Sequence, residues 1–189
     1  NLLNEPLYAK AIEKIKKEGG LIFEFTPPEI NYSGFREILD VDMKNDLPKY
    51  LNKYSKNSIK NIKEIIDFNL KDSLKRAPYG QGIFKSIVSN NTTDLEISEI
   101  KNRIKIEGKR YFDEAISKYD LDAILSINNY HASYAAGAYY PCLTIPMGYR
   151  ENGLPSNLTF IGPSFSEGKL YQLGYAFEKE TNYRIPPSN

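Results

Sequence analysis

The sequence predicts an α/β fold, with helices packed on a sheet. Three features predict it. A helical stripe near the start is followed by Gly19-Gly20 and a short apolar run, which is how an α/β unit reads. The middle of the chain repeats apolar residues at helical spacing. The last third carries three short apolar runs, and an Asn-Gly turn signal joins two of them.

Residues 5–18 place Leu7, Ala11, Ile12 and Ile15 on one helical face. Gly19-Gly20 ends that helix, because glycine tolerates the left-handed turn at a C-terminus. Leu21 to Phe25 then reads as a strand. Thr26-Pro27-Pro28 closes it, since proline cannot donate to a ladder. Residues 34–53 read as a helix with Phe35, Ile38, Leu39 and Met43 on one side, split or kinked at Pro48. Ser58 to Leu70 repeats the pattern, and a glycine-containing loop follows from Ala77 to Gly82. Thr93 and Glu96 form a capping box ahead of the longest helix. Its stripe runs through Ile97, Ile100, Ile104, Tyr111, Ala115 and Tyr119, and the Lys and Arg residues between them form a solvated face.

Ala123 to Ile127 reads as a buried strand, and Leu143 to Tyr149 as another. Glu151-Asn152-Gly153 turns the chain, and Ser156 to Ile161 returns antiparallel. The three strands are expected to be neighbours. Ser164 and Glu167 read as a second capping box, and the helix after it presents Leu170, Leu173 and Phe177. Pro186-Pro187 ends the pattern. No internal repeat, low-complexity tract or long linker divides the chain, so residues 1–189 read as a single domain.

Composition narrows the function classes. A chain of 189 residues can bury roughly 70% of its unfolded surface. With 41% hydrophobic and 26% charged residues it is ordinary globular material, which excludes wholesale disorder. Lys plus Arg is 25 and Asp plus Glu is 24, so the basic excess of a generic nucleic-acid binder is missing. One Cys and one His rule out a disulfide framework and a cysteine- or histidine-rich metal site. No apolar run approaches the ~20 residues that span a bilayer, and no secretory signal stands at the start. A soluble, cytoplasmic protein without cofactor or metal is the expectation. The first residue is Asn1 rather than Met, so a chain trimmed from a longer one is expected.

Few residues could carry chemistry. His131 follows Asn128-Asn129-Tyr130, just past a predicted strand, where sites form in open α/β sheets. No Ser-His-Asp arrangement assembles from spacing, and a hydrogen-bonded loop histidine is the plainer reading. Cys142 lacks a neighbouring base and reads as a buried, inert thiol. Ser98 with Lys101 and Ser166 with Lys169 match Ser-x-x-Lys, but both fall in first helical turns, where Ser caps and Lys is solvated. The glycines form no phosphate cradle. The Asn-x-Ser/Thr triplets at Asn31, Asn90, Asn91 and Asn157 carry no weight without a secretory signal. Tyr130, Tyr134, Tyr139 and Tyr140 crowd one segment, as pocket lining or as core.

A resemblance supplies what the residues alone do not. Leu121 to Ser126, Tyr140-Pro141-Cys142-Leu143-Thr144-Ile145-Pro146-Met147-Gly148-Tyr149, Asn152 to Gly162, Phe165-Ser166-Glu167, Tyr175-Ala176-Phe177-Glu178 and Arg184-Ile185-Pro186-Pro187 occur in one order and spacing. This pattern resembles the carboxy-terminal region of the amidase signature enzymes. Asp46 to Leu51, Ile65 to Asn69 and Tyr79-Gly80-Gln81 also have counterparts, so the likeness covers the whole chain and is strongest after about residue 120.

The resemblance implies a mixed sheet flanked by helices, present here only as its carboxy-terminal portion. It implies hydrolysis of carboxylic amides to acid and ammonia. The family does this with a serine nucleophile, a second serine in a cis peptide and a lysine that acts as base. A Gly/Ser-rich loop of the amino-terminal half stabilises the oxyanion. No segment here matches that loop, so no catalytic residue carries over, and the isolated chain is expected to be inactive.

The partners so implied are the missing amino-terminal half and a small amide substrate, without nucleic acid or membrane. Apolar surface left by the missing half implies possible self-association. The loop from Asn128 to Pro141 is the best candidate for a cleft wall, through Asn128, Asn129, Tyr130 and His131, with Gln81 as a further substrate contact. Tyr139, Met147 and Asn157 stand where the family usually has a small residue. The short stretch from Ser126 to Pro141 favours a general amidase over the tRNA-dependent amidotransferase subunit. That subunit, and a non-catalytic binding module on the same fold, are the rival readings.

Overall fold

The computed structural model of the chain describes residues 2–186. Pro187, the second half of the Pro186-Pro187 ending, lies outside the described residues. In chain order the elements are α1 (Pro6–Lys17), α2 (Phe35–Tyr54), α3 (Ile62–Leu70), α4 (Ser73–Arg76), α5 (Gly82–Ser89), α6 (Asp94–Tyr119), β1 (Ile124–Ile127), α7 (Ala132–Ala138), β2 (Cys142–Tyr149), β3 (Pro155–Ile161) and α8 (Glu167–Thr181). They gather into two compact units. One comprises the residues up to Tyr32 and from Ile104 on, and the other runs Ser33–Arg103.

In the first unit β3 lies between β1 and β2, and both pairings are antiparallel. The alternation of strand side chains sorts the sheet into two faces. Leu125, Ile127, Leu143, Ile145, Leu158 and Phe160 pack with Tyr8, Ala11 and Ile12 of α1 and with Leu170 and Phe177 of α8. On the other face Ile124 and Ile161 pack with Phe112 of α6 and Ala135 and Ala138 of α7. Pro146 has no N–H for a ladder, and β2, with no neighbour beyond it among the described residues, is a strand that can accept it. The expected strands near Ala123, Leu143 and Ser156 are thus present as neighbours, the last two antiparallel.

Two further expectations of the first unit change. Leu21 to Phe25 is not a strand; residues 18–32 have no regular structure, although Leu21 to Phe25 has a strand's composition. A strand needs a second strand, and residues 21–28 make no backbone hydrogen bond among the described residues. Ser164 and Glu167 do not form a capping box. Phe165 takes a left-handed φ of 67°, and the helix begins only at Glu167, with Ser166 as its N-cap. The Ser164 hydroxyl instead donates to the Tyr139 carbonyl at 3.0 Å.

The second unit is helical. Val41, Ile62, Ile87 and Ile97 are its buried apolar residues. Asp40, 2% exposed, accepts a hydrogen bond from the Ser86 hydroxyl at 2.9 Å and pairs with Arg36 at 2.8 Å, so the buried carboxylate is met on both oxygens. The box at Thr93 and Glu96 forms as expected: the Thr93 N–H donates to Glu96 at 2.8 Å, and the Glu96 N–H donates to the Thr93 hydroxyl at 3.3 Å. The Thr93 N–H and the Thr93 hydroxyl, at 2.7 Å, both donate to the Glu96 carboxylate and hold it below its usual range. The helix expected from Ser58 starts later, where Asn61 accepts the Glu64 N–H at 3.0 Å. Pro48 does not split its helix; α2 continues through it to Tyr54.

Candidate functional site

The candidate wall begins where β1 ends. Residues 128–131 form a turn between β1 and α7. Asn128 takes a left-handed φ of 48°, which asparagine tolerates better than most residues. Its Oδ1 accepts the Asn157 N–H at 2.9 Å, its own N–H donates to the Asn157 carbonyl at 2.9 Å, and its carbonyl accepts the Thr159 hydroxyl at 2.5 Å. Asn128 therefore locks the turn onto β3. Asn129 and Tyr130 are exposed, and no side-chain bond holds either among the described residues.

His131 is held from inside the sheet. Its Nδ1 lies 2.6 Å from the hydroxyl of Ser126, which is 1% exposed on β1. Its ring contacts Tyr111 of α6 and Tyr134 of α7, with centroids at 5.9 and 6.2 Å. Burial lowers the His131 pKa below its ordinary value near 6.5, so the ring is neutral at neutral pH. Ser126 is too buried for a substrate carbonyl to reach, and among the described residues no carboxylate is bonded to the imidazole. The pair lacks the exposure and the third group of a nucleophilic triad. With Nδ1 engaged, Nε2 is the polar atom the ring has left to offer.

His131 lines a cavity of about 800 Å³, whose other walls include Tyr8, Phe25, Tyr111 and Leu125. The Tyr8 phenol, pushed up to about 12 by burial and by the Glu24 carboxylate, donates to the Leu125 carbonyl at 3.4 Å. Spacing did not reveal Ser126 as the partner of His131. The only signal was one hydroxyl inside the apolar run Ala-Ile-Leu-Ser-Ile, five residues before the histidine.

The crowded tyrosines divide between the two expected roles. Tyr140 is buried, and its hydroxyl donates to Asp113; Tyr134 packs in the core. Tyr130 and Tyr139 are exposed. Tyr139 caps α7 with a left-handed φ of 59°, a conformation suited to the small residue usual in the resembled family.

The remaining candidates lie elsewhere. Gln81 belongs to the second unit, where it accepts from the Asn69 amide at 3.1 Å and donates to the Ile66 carbonyl at 3.4 Å. Cys142 is exposed at the start of β2, not buried as expected, on a strand with no neighbour beyond it among the described residues. Partial cover raises its thiol pKa, which keeps it protonated and unreactive. Neither Ser-x-x-Lys pair forms: Lys101 binds Asp42 at 2.7 Å and Lys169 binds Asp122 at 2.8 Å. Among the described residues no cluster of His, Cys, Asp and Glu could hold a metal ion, and no helix is long and apolar enough to cross a membrane.

No family model matches the chain. Among curated proteins it is 26% identical to a "Probable amidase" of Arabidopsis thaliana, over 93% of this chain and 36% of that protein. It is 23% identical to a glutamyl-tRNA(Gln) amidotransferase component of Ruminiclostridium cellulolyticum, over 97% of this chain and 43% of that one. Among solved structures an amidase family protein from Bacillus anthracis superposes with a TM-score of 0.86 at 27% identity, covering 100% of this chain and 38% of its own. Native peptide amidase from Stenotrophomonas maltophilia gives 0.82 at 26%, covering 99% and 42%. The chain therefore spans less than half the length of these relatives.

Proposed function

We propose, from the premise that this chain is a carboxy-terminal region of the amidase signature type, that it is the supporting part of an enzyme that hydrolyses carboxylic amides to acid and ammonia. The nucleophile, its base and the oxyanion donors then belong to the remainder of that fold. The observation that carries this reading is the full-length superposition on the Bacillus anthracis amidase family protein, of which the chain covers only 38%. The residues present agree with it. The serine of the one close Ser–His pair is buried, the lone thiol is not activated, and both Ser-x-x-Lys lysines are engaged by aspartates.

On this reading the turn after β1 is one wall of the substrate cleft. Asn129 and Tyr130 offer free polar side chains to an amide, His131 offers Nε2, and Asn128 holds the turn in place. Gln81 stands as a separate candidate contact on the second unit. The enzyme needs no cofactor or metal, since a serine activated by a neutral lysine is sufficient for acyl transfer from an amide.

A chimera tests the reading. This chain replaces the matched region of the Stenotrophomonas maltophilia peptide amidase, and ammonia release from a peptide amide is measured. The chimera should turn over, and the 189-residue chain alone should release no ammonia from any primary amide. A folded but inactive chimera, or turnover by the chain alone that survives further purification, would overturn the proposal. A chimera active only with added amidotransferase components would point to the amidotransferase instead.

A further inference from the structure

We propose that Thr159 is a positioning residue of the cleft wall, whose buried hydroxyl sets the direction in which Asn129 and Tyr130 face a substrate. The role of the wall rests on the functional reading above; the grip on the turn does not.

The grip begins with a departure from the ladder. The register that puts Ile127 opposite Leu158 puts Asn128 opposite Asn157. A hydrogen-bonded pair of an antiparallel ladder exchanges both of its N–H and C=O groups. Asn128 gives its N–H to the Asn157 carbonyl at 2.9 Å, but the Asn157 N–H goes to Asn128 Oδ1, also at 2.9 Å. The side-chain oxygen has taken the place of the carbonyl. With φ at 48°, the Asn128 carbonyl leaves the ladder and the chain turns. A half-buried carbonyl outside a ladder needs a donor. Among the described residues the Thr159 hydroxyl supplies it, at 2.5 Å.

A one-way line of hydroxyls holds that donor. Thr159 is 2% exposed and lies opposite Thr144 on β2 and Ser126 on β1, so the three form a row on one face of the sheet. A threonine hydroxyl has one proton to give. Thr159 spends its proton on the Asn128 carbonyl, so in its 2.9 Å contact with Thr144 it accepts and Thr144 donates. The bond it accepts strengthens the bond it donates.

The third member of the row completes the frame. Ser126 bonds His131 Nδ1 at 2.6 Å. The turn is therefore anchored from beneath at both ends, at Asn128 by Thr159 and at His131 by Ser126. The Tyr130 N–H closes it on the Ile127 carbonyl at 3.0 Å. Asn129 and Tyr130 stand exposed between the anchors, and no side-chain bond holds either among the described residues, so their direction is inherited from below.

Thr159→Val keeps the shape and removes the hydroxyl, whereas Thr159→Ser keeps the hydroxyl. Hydrogen–deuterium exchange of the 189-residue chain reads the grip. In Thr159→Val the Asn157 and Tyr130 amides should exchange about 10-fold faster relative to those of Leu158 and Phe160, which the two-residue period turns toward β2. Equal acceleration of all four amides would mean lost stability alone and overturns the proposal. Steady-state kinetics of the peptide amidase chimera read the role. There Thr159→Val should raise KM for a peptide amide about 10-fold and leave kcat within about twofold, because a wall that binds ground and transition states alike acts on KM. Thr159→Ser should restore KM. Thr144→Val should raise it less, since Thr159 keeps its proton on the Asn128 carbonyl. An unchanged KM in an active Thr159→Val chimera, or a KM that Thr159→Ser does not restore, overturns the positioning role. A wild-type chimera that releases no ammonia sinks the hydrolase reading and the wall with it, and the turn amides of the chain then still show whether Thr159 holds the turn.

Discussion

Ser126 on β1 is buried and His131 in the turn after it is half-buried, and the bond between them gives the serine hydroxyl its partner inside the sheet. Ser126→Ala removes the hydroxyl at 2.6 Å and leaves Nδ1 without its partner. The expected cost is about 1–2 kcal/mol, read as a lower urea midpoint at unchanged slope. The histidine also ties stability to pH. Its folded pKa lies below its ordinary value near 6.5, so below that value the unfolded chain binds the extra proton. This part of the stability is complete above about pH 6.5 and is lost as pH falls toward the folded value. Urea midpoints between pH 5 and 7.5 should fall more steeply for the wild type than for His131→Gln; equal slopes would refute the linkage. Tyr139 has the opposite problem, a side chain in left-handed backbone with φ 59°. Tyr139→Gly should stabilise the chain by about 0.5–1 kcal/mol in the same assay.

Helix α6 meets α7 through a glycine, and that contact sets how close the two helices come. A Cβ on Gly108 would lie 2.9 Å from the Ala138 nitrogen and 2.9 Å from the Tyr134 carbonyl oxygen. Both are backbone atoms, which cannot rotate away, so Gly108→Ala should cost about 1–3 kcal/mol by forcing the helices apart. Gly168, in the first turn of α8, has nothing within 4 Å, and Gly168→Ala should gain about 0.5–1 kcal/mol from helix propensity alone. Thermal melts of the two variants should shift in opposite directions. The elements also show where sequence patterning holds. The Ser156 to Ile161 strand was legible because its apolar alternation and the Asn-Gly turn agree. Leu21 to Phe25 carried the same composition and is no strand here, because pairing is not local information. Ser164 and Glu167 had the spacing of a capping box, but Phe165 turns left-handed between them. Pro48 broke the helix rule because α2 continues through a missing donor. His131 was legible as the only imidazole, while Ser126 read as core because it stood among Ile and Leu.

At the scale of the whole molecule, the near balance of charge leaves apolar surface with little to oppose it. A formal net charge of +1 gives weak repulsion between copies near neutral pH. Leu21, Leu74, Tyr79 and Phe165 are 82%, 89%, 101% and 95% exposed, which is unusual for side chains of that size. Copies should therefore attract one another weakly through side chains. Light scattering should show molecular mass rising with concentration at pH 7, and added sulfate should steepen the rise, because excluded salts strengthen apolar burial. Leu74→Lys with Phe165→Lys removes two of these contacts and adds charge of one sign, so the double variant should stay monomeric at concentrations where the wild type associates. Contacts of this kind use side chains, so the amides of residues 21–25 should go on exchanging freely in the associated material. A wild type whose mass holds constant over a hundredfold concentration range would show that these side chains are accommodated by the chain itself.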